Sequence, residues 1–99
     1  MKRLAVLVKH EKVDAVVTAL RGLDLDSVIY DVKSAGKEKE QTHSGRGASV
    51  TSTQLPRKII ATVVDDDKVQ STSDTIKNSI SNDSKGVIIV TSVDDFIPF

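Results

Sequence analysis

The stretch RLAVLVKHEKVDAVVTALRGL, Arg3–Leu23, decides how the rest of the chain is read. In its first part Leu4, Val6 and Val8 fall on one side of an extended segment and Ala5 and Leu7 on the other. A short run apolar on both sides is a strand covered on both faces. From Glu11 the spacing changes: Val13, Val16, Val17 and Leu20 stand at i, i+3, i+4 and i+7, one apolar stripe of a helix running from Glu11 to Leu23. Gly22 and the following Asp-Leu-Asp end it. A buried strand passing straight into an amphipathic helix is the opening of a βαβ unit.

Downstream, SVIYDVK (27–33) reads as a second strand with Val28, Tyr30 and Val32 on one face. After a long polar stretch, Pro56 leads into RKIIATVV (57–64), where Ile59, Ala61 and Val63 alternate with Ile60, Thr62 and Val64. DDDKVQSTSDTIKNSIS (65–81) gives a second helix with Val69, Ile76 and Ile80 on its apolar side. Asp65, Asp66 and Asp67 suit the positive end of that helix, so N-capping explains them better than a divalent cation does. NDSKG (82–86) is a turn, VIIVTSV (87–93) the fourth strand, and DDFIPF (94–99) a tail.

The order is β-α-β-loop-β-α-β. That predicts an α+β fold, the ferredoxin-like sandwich, with a four-stranded antiparallel sheet and both helices on one face. Its other face would be bare, yet three of the four strands carry aliphatic residues on both sides. Such a patch marks an association surface. A homo-oligomer closed into a ring is expected, with Phe96, Ile97 and Phe99 of the tail extending the contact.

Bulk properties narrow the function classes. Ninety-nine residues make one domain of modest core. Lys plus Arg and Asp plus Glu both number 14, so no overall field draws in nucleic acid. Without cysteine there are no disulfides, thiolate nucleophiles or zinc fingers. The apolar run near the start is too short for a secretory signal, and none approaches a membrane span, so a cytoplasmic protein without membrane insertion is expected. His10 and His43 lie on different elements outside any metal-ligand spacing. No GxSxG, Ser/His/Asp arrangement or GxxxxGK[ST] loop occurs, so no enzyme and no ordinary phosphate loop is expected.

The polar stretch SAGKEKEQTHSGRGASVTSTQ, Ser34–Gln54, takes about a fifth of the chain, far more than a strand connection needs. Gly36, Gly45 and Gly47 loosen its backbone, and Lys37, Lys39 and Arg46 supply cations suited to a phosphate or carboxylate. A solvated linker accounts for the same composition.

With those elements placed, the chain resembles the PII signalling family, the trimeric nitrogen-regulatory proteins, over nearly its whole length. MKRLAVLVKHEKVDAVVTAL is similar to the family opening MKxIxAIIxPxKLxxVxxAL. VKSAGKEKEQTHSGRGA lies without a gap on VxGxGRQKGHTExYRGA, and LPRKIIATVVDDDKV looks like LPKxKIExVVxDDxV. The resemblance implies a homotrimer whose residues 34–54 are the T-loop, the arm that engages a partner such as an ammonium channel or a metabolic enzyme. It also implies ADP or ATP between subunits, and 2-oxoglutarate with Mg at the T-loop base.

Departures qualify the ligands. Where the family has TGxxGDGK this chain has SISNDSKGVIIV, shorter, with Gly86 on the last glycine and Val87 in the place of the lysine. The tail lacks the RxR expected to grip nucleotide. Losing several charged phosphate contacts, each worth about 1.5–3 kcal/mol, argues against tight ATP binding. Glu38 replaces the glutamine associated with Mg, Glu40 a glycine beside it, and Val50 the tyrosine that many members modify. Ser49 is one place off the serine modified in some relatives.

The expected effector contacts are Gly36, Lys37, Glu38, Lys39, Arg57, Lys85 and Gly86. The effector is ADP, ATP, AMP or another small anion such as bicarbonate. The expected partner contacts are Thr42, His43, Arg46 and Ser49. The divisions are a T-loop at 34–54, a shortened B-loop at 81–86 and a tail at 94–99. A CutA-like structural or metal-handling trimer, which shares the architecture, is the alternative.

Overall fold

The computed structural model describes residues 1–36, 42–45, 48–51, 54–80 and 85–99, with the backbone alone for 42–45 and 48–51. Among the described residues six strands and two helices follow in order: β1 (Lys2–Val8), α1 (Val13–Gly22), β2 (Val28–Ala35), β3 (Thr42–Gly45), β4 (Ala48–Thr51), β5 (Gln54–Val64), α2 (Val69–Ser79) and β6 (Val87–Ser92). Four strands form an antiparallel sheet in the order β2-β5-β1-β6. This is the ferredoxin-like arrangement.

Placing β1 in the middle explains its composition. Leu4, Val6 and Val8 are at most 1% exposed and pack with Ile60 and Val64 of β5, Val16 and Leu20 of α1, and Ile76 of α2. Thr62 lies in the same layer, opposite Leu4, and its hydroxyl donates to the Asp26 carbonyl at 2.8 Å, so its burial leaves no unmet polar group.

The two helices are entered alike. Lys9 (φ −69°, ψ 154°) and Asp65 (φ −66°, ψ 154°) are extended, and a single tight turn follows each, His10–Lys12 and Asp66–Lys68. In both, the lysine that ends the turn donates its N–H to the carbonyl three residues back, Lys12 to Lys9 at 3.0 Å and Lys68 to Asp65 at 2.9 Å. The chain thus builds one strand-turn-helix-strand unit twice. These turns take up the first residues of the expected helices, which begin at Val13 and Val69 rather than at Glu11 and Asp65.

Three further expectations are corrected. No side chain hydrogen-bonds as a cap at the start of α2; the Asp66 carboxylate instead holds the amino group of Met1 at 2.9 Å, which lowers its pKa through that hydrogen bond and charge. The connection between the second and third expected strands is not one long loop, because β3 and β4 pair inside it as an antiparallel hairpin, Thr42 with Thr51 through Gly45 with Ala48. Pro56 lies within β5, not ahead of it. There β5 pairs only with β2, since β1 reaches it no further than Lys58, and a one-sided strand accommodates proline.

The face away from the helices is bare in the single chain, as expected. Across it run the rows Val28–Ala61–Ala5–Ile89 and Tyr30–Ile59–Leu7–Val87. Val28, Tyr30, Val87 and Ile89 remain 42–59% exposed, and the Arg3 guanidinium sits 5.9 Å from the Tyr30 ring centre. Among the described residues, no helix is long and apolar enough to cross a membrane.

Candidate effector site at the end of the sheet

Antiparallel pairing places the ends of four segments at one end of the sheet. β2 runs out through Lys33 to Gly36 and β5 enters through Gln54 to Lys58, paired from Val32 with Arg57 to Ala35 with Gln54. β1 leaves the sheet at Val8, and β6 begins beside it, Val87 facing Leu7. With neighbouring strands about 4.8 Å apart, the stem of the hairpin arm and the segment before β6 stand at the same end, separated by the width of β1.

Of the expected effector contacts, Gly36 and Arg57 lie on the β2–β5 stem, whereas Lys85 and Gly86 precede β6 at the other edge of the sheet, so the single chain does not bring the two pairs together. Lys37, Glu38 and Lys39 lie outside the described residues. Gly36 has φ +130°, a region open to glycine and strained for other residues, so it turns the chain as it leaves β2. Arg57 is on the bare face, in register with Val32, and its Nη1 donates to the Pro56 carbonyl at 2.8 Å. Gly86 has a structural reason to be glycine. A Cβ there would lie 3.1 Å from Val8 Cγ1 and 3.2 Å from the Leu7 carbonyl oxygen, so the segment before β6 can press against the end of β1. Val87, in the place of the family lysine, is 52% exposed and offers no charge.

The sequence reading missed the ion pair that closes the helix-facing side of the same end. Lys58 donates to the Asp31 carboxylate, directly across from it in the β2–β5 ladder. That hydrogen bond and the Lys58 charge hold the Asp31 carboxyl below its usual value, with a smaller contribution from His10. The available signal was alternation: Asp31 and Lys58 each stand on the polar margin of a strand, where cross-strand charge pairs form. Lys9, His10 and Lys33 add to the basic character of this end. Among the described residues, no three His, Asp or Glu side chains gather where they could hold a metal ion.

Of the expected partner contacts, Thr42 and His43 are in β3 and Ser49 is in β4, in register with Ser44, while Val50 pairs with His43. Arg46 lies outside the described residues.

The family described as Nitrogen regulatory protein P-II matches residues 1–98. Among similar proteins, a nitrogen regulatory protein P-II from Rhizobium meliloti is 27% identical over 98% of this chain and 89% of its own length. One from Cereibacter sphaeroides is 30% identical over 87% of this chain and 78% of its own length. A third, from Mesorhizobium japonicum, is 27% identical over 98% of this chain and 89% of its own. The match leaves the CutA-like alternative without support.

Proposed function

The chain belongs to the nitrogen regulatory protein P-II family, and on that premise we propose a regulator of nitrogen metabolism without catalytic activity, which reads a small anionic effector and acts on a partner protein through the arm at 34–54. What supports this is the origin of the arm: Gly36 and Arg57 lie on its stem, and Lys85 and Gly86 stand at the same end of the sheet, beyond β1. An anion held there by the cations at the stem would favour whichever arm arrangement lets it make those contacts, a population shift.

The protein works as a homotrimer in the cytoplasm, its bare sheet faces turned toward one another and its clefts completed by neighbouring copies. Partner contact falls to Thr42, His43, Arg46 and Ser49, and the partner is an ammonium channel or a metabolic enzyme.

The donor set fits a small anion better than a triphosphate. Gly86 is glycine because Val8 and Leu7 crowd it, and Val87 supplies no ammonium group. ADP, AMP or bicarbonate therefore ranks ahead of tightly held ATP. For Mg with 2-oxoglutarate, Glu38 is the one acidic ligand the family position offers, and its charge opposes a second carboxylate.

Calorimetry with ATP, ADP, AMP, bicarbonate and 2-oxoglutarate, each with and without magnesium to millimolar concentration, tests this. Binding of one of these anions that Arg57→Ala weakens supports it. Silence throughout, or binding indifferent to Arg57, removes the effector site. Arg46→Ala is expected to weaken partner capture while leaving effector affinity near wild type, and equal loss of both would refute that division of labour.

A further inference from the structure

On the helix side of the sheet, α2 and β6 do not close against each other. Between them runs a groove of about 890 Å³ lined by Ile76, Ile80, Ile88 and Val90, with Lys77 and Lys85 also on its walls. Val90 shows how open it is. It faces the helix layer directly opposite Leu4, yet is 43% exposed where Leu4 is fully buried. The volume is within the roughly 300–1,000 Å³ of ordinary ligand clefts. Elsewhere the same chain carries an apolar segment with no cover: Phe96 and Ile97 are 56% and 77% exposed and Phe99 is fully exposed.

We propose that the groove between α2 and β6 is the seat of the tail of a second copy, Phe96–Phe99, with Asp94 and Asp95 set against Lys77 and Lys85. The chemistry of the two surfaces matches. An apolar trough flanked by two exposed lysines meets an apolar segment preceded by two aspartates, and both expose large apolar area in the single chain. Lys77 is only loosely engaged, 3.6 Å from Asp74 across an exposed helix turn, a pair of small worth. Pro98 fixes its own φ and biases Ile97 toward an extended backbone, so the segment loses little freedom when it seats.

The direction of the chain favours a second copy over its own tail. β6 runs from the Lys85–Gly86 end of the groove toward Ser92, and the tail leaves from there after Val93 donates to the Met1 carbonyl at 3.1 Å. To lie in its own groove it would have to double back along β6. A neighbour can present its tail without that reversal. Tail-to-groove is a head-to-tail contact, so it closes into a ring when the rotation between copies allows. This inference does not depend on the effector, although it engages Lys85, one of the proposed effector contacts.

The absence of cysteine in the protein makes the test clean. Ser73, which lines the groove, is replaced by Cys in one preparation, S73C, and Phe99 by Cys in another, F99C. The full-length chains, one bearing a size tag, are mixed and mildly oxidised. Tail in the neighbour's groove predicts a mixed disulfide well above the yield of F99C with D14C, a cysteine on the exposed side of α1. K77E combined with K85E is expected to lose most of that cross-link. I97C repeats the test with a cysteine that leaves Phe99 in place. A yield no higher than the D14C control for both tail positions overturns the proposal. So does a link formed only within one chain of the S73C/F99C double variant, which would place the tail in its own groove.

Discussion

If the bare sheet face is where copies meet, Ile89→Asp should take the oligomer apart while leaving the fold intact. Ile89 lies in the row Val28–Ala61–Ala5–Ile89 and is 49% exposed in the single chain. Full burial of such a side chain is worth about 1.5–3 kcal/mol, so the half still to be covered contributes about 1 kcal/mol per protomer. Over three protomers that is about 3 kcal/mol, or roughly a hundredfold in the assembly constant. The carboxylate adds to this, because an ionised group trapped between sheets costs more than the lost apolar contact. Sedimentation velocity over a concentration series, with circular dichroism to confirm the fold, is the assay. Wild type is expected as a trimer and I89D as a folded monomer. Ile29→Asp is the matching control, since Ile29 is equally exposed at 50% but lies on the helix-facing side, in register with Ile60. Retention of the wild-type assembly by I89D, or its loss equally in I29D, would refute the assignment of the interface to this face.

Ile60→Ala removes a fully buried side chain from the centre of the sheet and is expected to lower stability by about 2–5 kcal/mol, read from urea unfolding. Gly86→Ala sets a Cβ against Val8 and the Leu7 carbonyl. It should cost about 1–3 kcal/mol as overpacking, and an unchanged melting temperature would show that the glycine is not there to let the chains approach. The Asp31 carboxyl should titrate below 3.8 because Lys58 donates to it, and Lys58→Met should return it toward that value in carboxyl NMR shifts. A lowered folded-state pKa means that the pair's contribution is present above the unfolded value and fades as pH falls through the folded one. Wild-type titration at or above 3.8 would contradict the pairing.

The strands and helices were legible because each carries its own period. Leu4, Val6 and Val8 alternate, and Val13, Val16, Val17 and Leu20 stripe, so β1 and α1 follow from spacing alone, and the order of elements then fixes the sheet. The bare face was legible for the same reason, as an excess of apolar residues over what two helices can cover. The hairpin β3–β4 was not, because THSG and ASVT are largely polar and have no apolar alternation, and what defines them is backbone pairing. Asp65 to Asp67 suggested caps because acidic residues before a helix usually act so. Nothing in the sequence shows that the Met1 amino group folds back within reach of Asp66. Gly86 matched a phosphate-loop position by order along the chain, whereas its neighbours Val8 and Leu7 are some 80 residues away and become its reason only in three dimensions.

The central place of β1 has a consequence for how the molecule is made. It is made well before its partners β5 and β6, Lys2 lying beside Val64 on one side and Ser92 on the other. Contacts so distant along the chain slow folding, because the intervening loop must be closed before they return any energy. β1, apolar on both sides, therefore waits uncovered until β6 has been synthesised. The first half of the protein cannot fold ahead of the second, and the step that completes the sheet is the docking of its last strand.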